Sequence, residues 1–207
     1  MDLELWLAFT LASTVLLIIP GPTILTVISY SISHGYRVRL PLVVAVALGD
    51  STALAFSLLG LGVLLAKSAI WFQVIKWAGG LYLLYLGVKL LRAGIKPSVI
   101  TQDCEVTSGW KLFINTYLVT ALNPKGMVFF VAFLPQFINT SLNVRHQLWV
   151  LALTFVALAT FNATVYAVFA GRIRHILSSQ KTQRVFNFTG GSLLSVAGLW
   201  ALSARNS

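Results

Sequence analysis

Six long apolar stretches make up most of this sequence. They run Leu5–Ile28, Leu40–Ala66, Ile70–Leu91, Leu112–Ile138, Leu148–Gly171 and Val185–Leu202. Each is long enough to cross roughly 30 Å of hydrocarbon as a helix. Only 10% of the 207 residues are charged and 57% are hydrophobic, whereas a soluble domain carries roughly a quarter charged residues. The sequence therefore predicts an all-α, polytopic membrane protein with six transmembrane helices. It excludes a soluble enzyme, a secreted disulfide scaffold and a disordered chain.

The basic residues are distributed unevenly between the two ends of these stretches. Ten flank the odd-numbered loops, namely Arg37, Arg39, Lys89, Arg92, Lys96, Lys111, Arg172, Arg174, Lys181 and Arg184. The opposite side has Lys67, Lys76, Arg145 and Arg205. By the positive-inside rule, the odd loops lie in the cytoplasm and both termini are periplasmic. Because the net charge of +10 is carried by short loops, it predicts attraction to membrane lipid headgroups and no binding of nucleic acid.

The two halves of the sequence resemble each other. The pattern of apolar residues and glycines in Val74–Gly87 recurs in Val185–Gly198 at a constant offset of 111 residues. Because each half contains an odd number of spans, the second copy must enter the membrane from the opposite face, as in many transporters. We therefore predict a single domain, residues 1–207, made of two inverted three-helix repeats. The first repeat covers residues 1–92, the second covers residues 111–207, and a cytoplasmic loop, residues 93–110, joins them.

Prolines interrupt the first apolar stretch of each repeat. Pro20, Gly21 and Pro22 lie within the first stretch, and Asn123 and Pro124 lie within the fourth. Such breaks free backbone groups that must bind protein, water or substrate. Two interrupted helices in corresponding positions are the best sequence indication of a transporter binding site. A plain helix kink is the alternative interpretation.

Three polar residues inside the predicted spans are candidates for binding substrate or protons. Asp50 is the one acidic residue within a span, where a charge costs at least about 2.5–3.5 kcal/mol near mid-bilayer. We expect it to bind a proton or an ammonium group, with a purely structural carboxylate as the alternative. Lys125 could pair with Asp50 or with a substrate carboxylate, or extend to the membrane surface. Asn162 adds an amide, a group that also links neighbouring helices.

The other polar residues predict neither a metal or cofactor site nor an enzyme. His34, His146 and His175 lie in separate loops, without Cys or acidic residues at ligand spacing. The sequence also lacks the glycine-rich, lysine-containing loop that binds nucleotide phosphates. An intramembrane enzyme would need a His or Cys partner for Asp50, and the spans offer none. A passive pore or scaffold remains an alternative.

Several short motifs make the sequence similar to one family nearly from end to end. They are Pro20–Pro22, Gly49–Asp50, Gly79–Gly87, Asn123–Gly126 and Phe133–Phe137. With these motifs the chain resembles the LysE/RhtB family of bacterial amino-acid exporters. The resemblance implies a small protein of the bacterial inner membrane that exports amino acids or close derivatives by proton antiport. Within the family, the sequence most resembles the branch that exports homoserine, homoserine lactone and threonine. Leucine-, cysteine- and lysine-type substrates stay open, as does a homo-oligomer.

These features together predict a secondary exporter with one central site between the repeats. We expect Lys125 and the helix N-termini beyond the breaks to bind the substrate carboxylate. We expect Asp50 and the backbone carbonyls freed by the breaks to bind the substrate ammonium group, with Asp50 exchanging substrate for protons.

Overall fold

The protein is helical throughout the part of the chain that is described. The computed structural model describes residues 1–67, 69–92, 108–139 and 141–203. The α-helices in these ranges are α1 Leu3–Ile18, α2 Pro22–His34, α3 Arg39–Lys67, α4 Ala69–Leu91, α5 Gly109–Ala121, α6 Pro124–Phe133, α7 Val144–Val168, α8 Ala170–Ser178 and α9 Gln180–Ser203. Short 3₁₀ helices follow α2 and α6, at Gly35–Val38 and Leu134–Phe137. The predicted all-α fold class is therefore confirmed.

The helices differ in whether they could cross a membrane alone. Among the described residues, two helical stretches are long and apolar enough to do so, Pro22–Gly60 and Val144–Val168. Leu3–Ile18 and Gly80–Leu91 are shorter apolar helices. At 1.5 Å per residue, the 16 residues of α1 cover about 24 Å. Since the hydrocarbon core is about 30 Å thick, the first and fourth predicted spans each need both of their half-helices.

The two helix breaks lie where the prolines predict them. α1 ends at Ile18, and Ile19 takes an extended conformation because the ring of Pro20 disfavours a helical residue before it. In the second half, Asn123 is extended in the same way before Pro124. Pro22 and Pro124 then occupy the first turns of α2 and α6, where a missing backbone N–H costs nothing.

Two local features differ from the sequence interpretation. Residues 93–107 of the predicted loop lie outside the described residues, but Gly109 and Trp110 already belong to α5. That helix begins early because the Ser108 side chain accepts a hydrogen bond from the Lys111 backbone N–H, at 3.4 Å. The short helix α8 was not predicted. It is amphipathic, with Ile173 packed against the core and Arg172 exposed.

The core consists of two hydrophobic clusters, one on each side of the breaks. The aromatic cluster is formed mainly by Phe9, Phe129, Phe130, Phe133, Phe137 and Phe155 with neighbouring aliphatic residues. The aliphatic cluster is formed mainly by residues of α2, α3 and α7, with single residues of the first 3₁₀ helix, α5 and α8; it includes Ile24, Val27, Ile28, Leu42, Val46 and Ala163. Along α3, the aliphatic cluster ends at Val46 and the aromatic cluster begins at Ala53. Asp50 therefore lies between the two clusters.

Helices α4 and α9 pack closely through glycines. A Cβ atom built on Gly198 would lie 2.8 Å from the Gly80 carbonyl oxygen, and one on Gly191 would lie 2.8 Å from the Gly87 carbonyl oxygen. The helices are therefore antiparallel, because the earlier glycine of one faces the later glycine of the other. Close backbone approach of this kind requires residues without side chains.

We expect Gly198→Ala to destabilise the protein by about 1–3 kcal/mol, since overpacking forces the two helices apart. The added methyl group would lie 2.7 Å from the Leu84 backbone nitrogen. Gly60→Ala is the matched control, because a Cβ there meets nothing within 4 Å. Thermal unfolding in detergent should give a lower midpoint for Gly198→Ala only. Equal midpoints for the two variants would show that the close packing is unimportant.

Candidate functional site

A small cavity lies where the two helix breaks meet. It has a volume of about 50 Å³ and is lined by residues of α1, α2, α3, α6 and α7 and of the first break. Its polar lining consists of Thr23, Asp50, Lys125 and Asn162, and most of the remaining lining is aliphatic. This volume holds a few water molecules, well below the roughly 300–1,000 Å³ of typical ligand sites. The cavity must widen before it can hold an amino acid.

Lys125 binds the broken end of α1. Its Nζ atom donates hydrogen bonds to the backbone carbonyl oxygens of Leu16, at 2.7 Å, and Ile19, at 2.8 Å. The last carbonyls of a helix have no partner within the helix, and the helix dipole makes that end negative. The Lys125 ammonium group donates hydrogen bonds to these carbonyls, and its positive charge is stabilised by the negative end of the helix dipole. Neither partner expected from the sequence, Asp50 or a substrate carboxylate, receives these two hydrogen bonds.

Two side chains of α7 bind the carbonyls between those held by Lys125. The Asn162 side-chain amide donates to the Leu17 carbonyl oxygen at 3.1 Å, and the Tyr166 hydroxyl donates to the Ile18 carbonyl oxygen at 2.7 Å. Four consecutive carbonyls, from Leu16 to Ile19, thus accept hydrogen bonds from the second half of the chain. Tyr166 was missed by the sequence analysis. The sequence indicates Tyr166 only through its position one turn after Asn162, on the same face of α7.

Asp50 lines the cavity on the side of α3. Asp50 is partly buried, and its carboxylate interacts electrostatically with the Lys125 ammonium group. Gly49, the preceding residue, packs against α5, where a Cβ would lie 2.6 Å from the Thr120 Cβ atom. This close packing holds Asp50 beside the α5–α6 break. The two charges predicted to be functional therefore lie on the same cavity.

Asn123 connects the two breaks. Its side-chain oxygen accepts a hydrogen bond from the Lys125 backbone N–H, and its side-chain nitrogen donates to the Thr23 hydroxyl, both at 3.1 Å. The start of α6 is thus capped by its own asparagine. The start of α2 has Gly21 in the same position, and this residue provides no side-chain cap. Thr23 and Ile24, in the first turn of α2, line the cavity.

The structure brings the predicted site residues together, with different functions. Asp50, Gly21, Lys125 and Asn162 line the cavity. Asn123 holds the two breaks together. Pro20, Pro22 and Pro124 determine where the helices stop and restart.

Broken helices that meet at a cavity lined by an acidic and a basic side chain are typical of membrane transporters. The family model described as LysE type translocator matches residues 14–205. The chain belongs to this family.

Its relatives match along nearly their whole length. The homoserine/homoserine lactone efflux protein of Salmonella typhi is 32% identical, with all of both chains covered. A membrane protein of Vibrio cholerae is 29% identical, over 99% of this chain and 100% of the relative. The leucine efflux protein of an Enterobacter strain is 25% identical, over 89% of this chain and 88% of the relative. No solved structure matches the chain.

We expect Tyr166→Phe to lower stability by about 1–3 kcal/mol, because the Ile18 carbonyl loses its partner in an apolar environment. Tyr85→Phe is the control, since the Tyr85 ring is exposed and surface substitutions usually change stability by less than about 0.5 kcal/mol. Thermal unfolding in detergent measures both. A Tyr166→Phe protein as stable as the Tyr85→Phe protein would contradict the importance of this hydrogen bond.

Proposed function

We propose that this protein is a secondary exporter of small amino acids or their derivatives, of the homoserine, homoserine lactone and threonine type, driven by proton antiport across the bacterial inner membrane. The observation that carries the proposal is the placement of Asp50 and Lys125 on one cavity at two helix breaks. Family membership supports export, and the homoserine/homoserine lactone efflux relatives support the substrate class.

The cavity offers separate groups for the two charges of an amino acid. Asp50 would bind the ammonium group. The uncapped start of α2 would bind the carboxylate, since its first amides point outward and its dipole end is positive. Lys125 adds a positive charge there, because an ammonium group has three donors and two of them are held by carbonyls. The carbonyls from Leu16 to Ile19 already accept hydrogen bonds, so Asp50 takes the larger share in binding the substrate ammonium.

Asp50 would also couple transport to protons. Protonation from the outside would neutralise the carboxylate and release the substrate, and deprotonation towards the cytoplasm would allow the next substrate to bind. One elementary charge crossing 100 mV supplies about 2.3 kcal/mol, which corresponds to roughly fifty-fold in concentration. A single proton per substrate is therefore sufficient to keep a metabolite at a low internal concentration.

The contact between α4 and α9 supports six spans arranged as two inverted repeats. The repeat offset of 111 residues relates Gly80 to Gly191 and Gly87 to Gly198. In the structure, Gly80 faces Gly198, and Gly87 faces Gly191. When each residue is replaced by its counterpart in the other repeat, the contact between Gly80 and Gly198 becomes the contact between Gly191 and Gly87. A two-fold axis perpendicular to the two antiparallel helices relates contacts in the same way. Such an axis in the membrane plane is the symmetry of inverted-topology transporters.

Two alternatives differ in substrate or in mechanism. The Enterobacter relative is a leucine efflux protein, so leucine-type substrates are a second candidate, alongside cysteine- and lysine-type ones. A passive pore would also move solutes, but the cavity at the breaks, about 50 Å³, holds only a few water molecules.

The function is tested with inverted membrane vesicles that take up radiolabelled homoserine when a pH gradient is applied. We expect Asp50→Asn to reduce gradient-driven uptake to the level of vesicles without the protein, because the site can no longer exchange a proton. Glu4→Gln is the control, an exposed acid at the start of α1. Gradient-driven uptake that survives Asp50→Asn would refute the coupling role. Leak without uphill counterflow would favour a pore, and a panel with threonine, leucine and lysine would identify the substrate class.

The orientation is tested with single cysteines in a Cys104→Ser background. We expect a membrane-impermeant maleimide added to intact spheroplasts to label Leu142→Cys, which is exposed before α7. It should leave Tyr36→Cys, exposed after α2, unlabelled until the cells are opened. The proposed topology places these positions on opposite sides, because Tyr36 lies in the first loop and Leu142 in the fourth. Labelling of both from the same side would rule out this arrangement.

A further inference from the structure

A second cavity lies between α3 and α7, on the side away from the candidate site. It is a groove of about 350 Å³, within the range of ligand sites. Its walls are mainly aliphatic, with Leu54 and Leu58 on α3 and Leu148 and Val156 on α7. This shape and composition suit a flexible hydrocarbon chain.

One end of the groove carries a positive charge and an aromatic ring. Arg145 and Trp149 line it at the start of α7, and both side chains are exposed. The first turn of α7 contains no acidic residue. An exposed tryptophan next to a basic residue at the end of an apolar helix is typical of the membrane–water interface. The groove therefore extends from the interface into the hydrocarbon region.

We propose that this groove binds an anionic phospholipid, with the lipid phosphate paired to Arg145 and one acyl chain lying between α3 and α7. An arginine guanidinium forms two parallel hydrogen bonds with a phosphate, and in an anionic lipid no cationic choline offsets the charge of that phosphate, as it does in phosphatidylcholine. A second copy of the chain fits less well, because the whole sequence has only five acidic residues with which to pair Arg145. Every anionic lipid carries the required charge.

The bound lipid would also lie against the helices that form the candidate site. On α3, Ser51 lines the inner end of the groove and directly follows Asp50. On α7, Ala152 lines the groove, and Phe155, about one turn later, lines the site cavity. The acyl chain would thus fill the gap on the outer side of the helix pair that encloses Asp50.

The test counts lipids retained by the intact protein in native mass spectrometry after reconstitution with phosphatidylglycerol or phosphatidylcholine. We expect Arg145→Gln to lower phosphatidylglycerol retention about fivefold, the effect of one basic residue near a charged surface, with little change for phosphatidylcholine. Arg172→Gln is the matched control, an exposed arginine on α8. Ala55→Trp, at an exposed position in the groove, should reduce retention of both lipids because the indole fills the space.

Three results would overturn the proposal. The first is retention equal to wild type in both Arg145→Gln and Ala55→Trp. The second is an equal loss in Arg145→Gln and Arg172→Gln, which would indicate general surface electrostatics. The third is a dimer in mass photometry that Ala55→Trp dissociates, which would assign the groove to a second copy of the chain. Unchanged thermal unfolding of the variants ensures that any loss of lipid reflects the groove itself.

Discussion

The broken end of α1 depends on side chains from the other half of the protein. Four consecutive carbonyls, from Leu16 to Ile19, are bound by Lys125, Asn162 and Tyr166. Without these donors, an interrupted helix in an apolar environment would leave several carbonyls unsatisfied, at a cost of several kcal/mol each in lipid. The interruption is therefore stable only when both halves have folded against each other. Formation of the candidate site and stability of the fold share the same hydrogen bonds.

The sequence predicts the breaks well because their causes are local. Proline restricts its own backbone and that of the residue before it, so the ends of α1 and the starts of α2 and α6 follow directly from Pro20, Pro22 and Pro124. The candidate charges were also predictable, since Asp50 and Lys125 are conspicuous within apolar stretches. The helical fold follows from the length and composition of those stretches.

The partners of these residues could not be predicted, because they depend on contacts distant in sequence. Lys125 binds carbonyls more than 100 residues earlier in the chain. The proline breaks predict that carbonyls are freed there, but the sequence does not indicate which side chain binds them. Tyr166 has the same difficulty, since a tyrosine near a helix end is also typical of the membrane interface. The helix α8 was missed because most of it lies beyond the fifth apolar stretch, where Arg172 and Arg174 are typical of a loop.

The position of the cavity between two hydrophobic clusters has an electrostatic consequence. On α3 and α7 alike, the aromatic cluster lies on one side of the cavity and the aliphatic cluster on the other. An ion that moved between these apolar side chains would have to leave its hydration shell. The polar groups of the cavity are therefore flanked by apolar side chains in both directions along α3 and α7, which opposes the passage of ions along this helix pair.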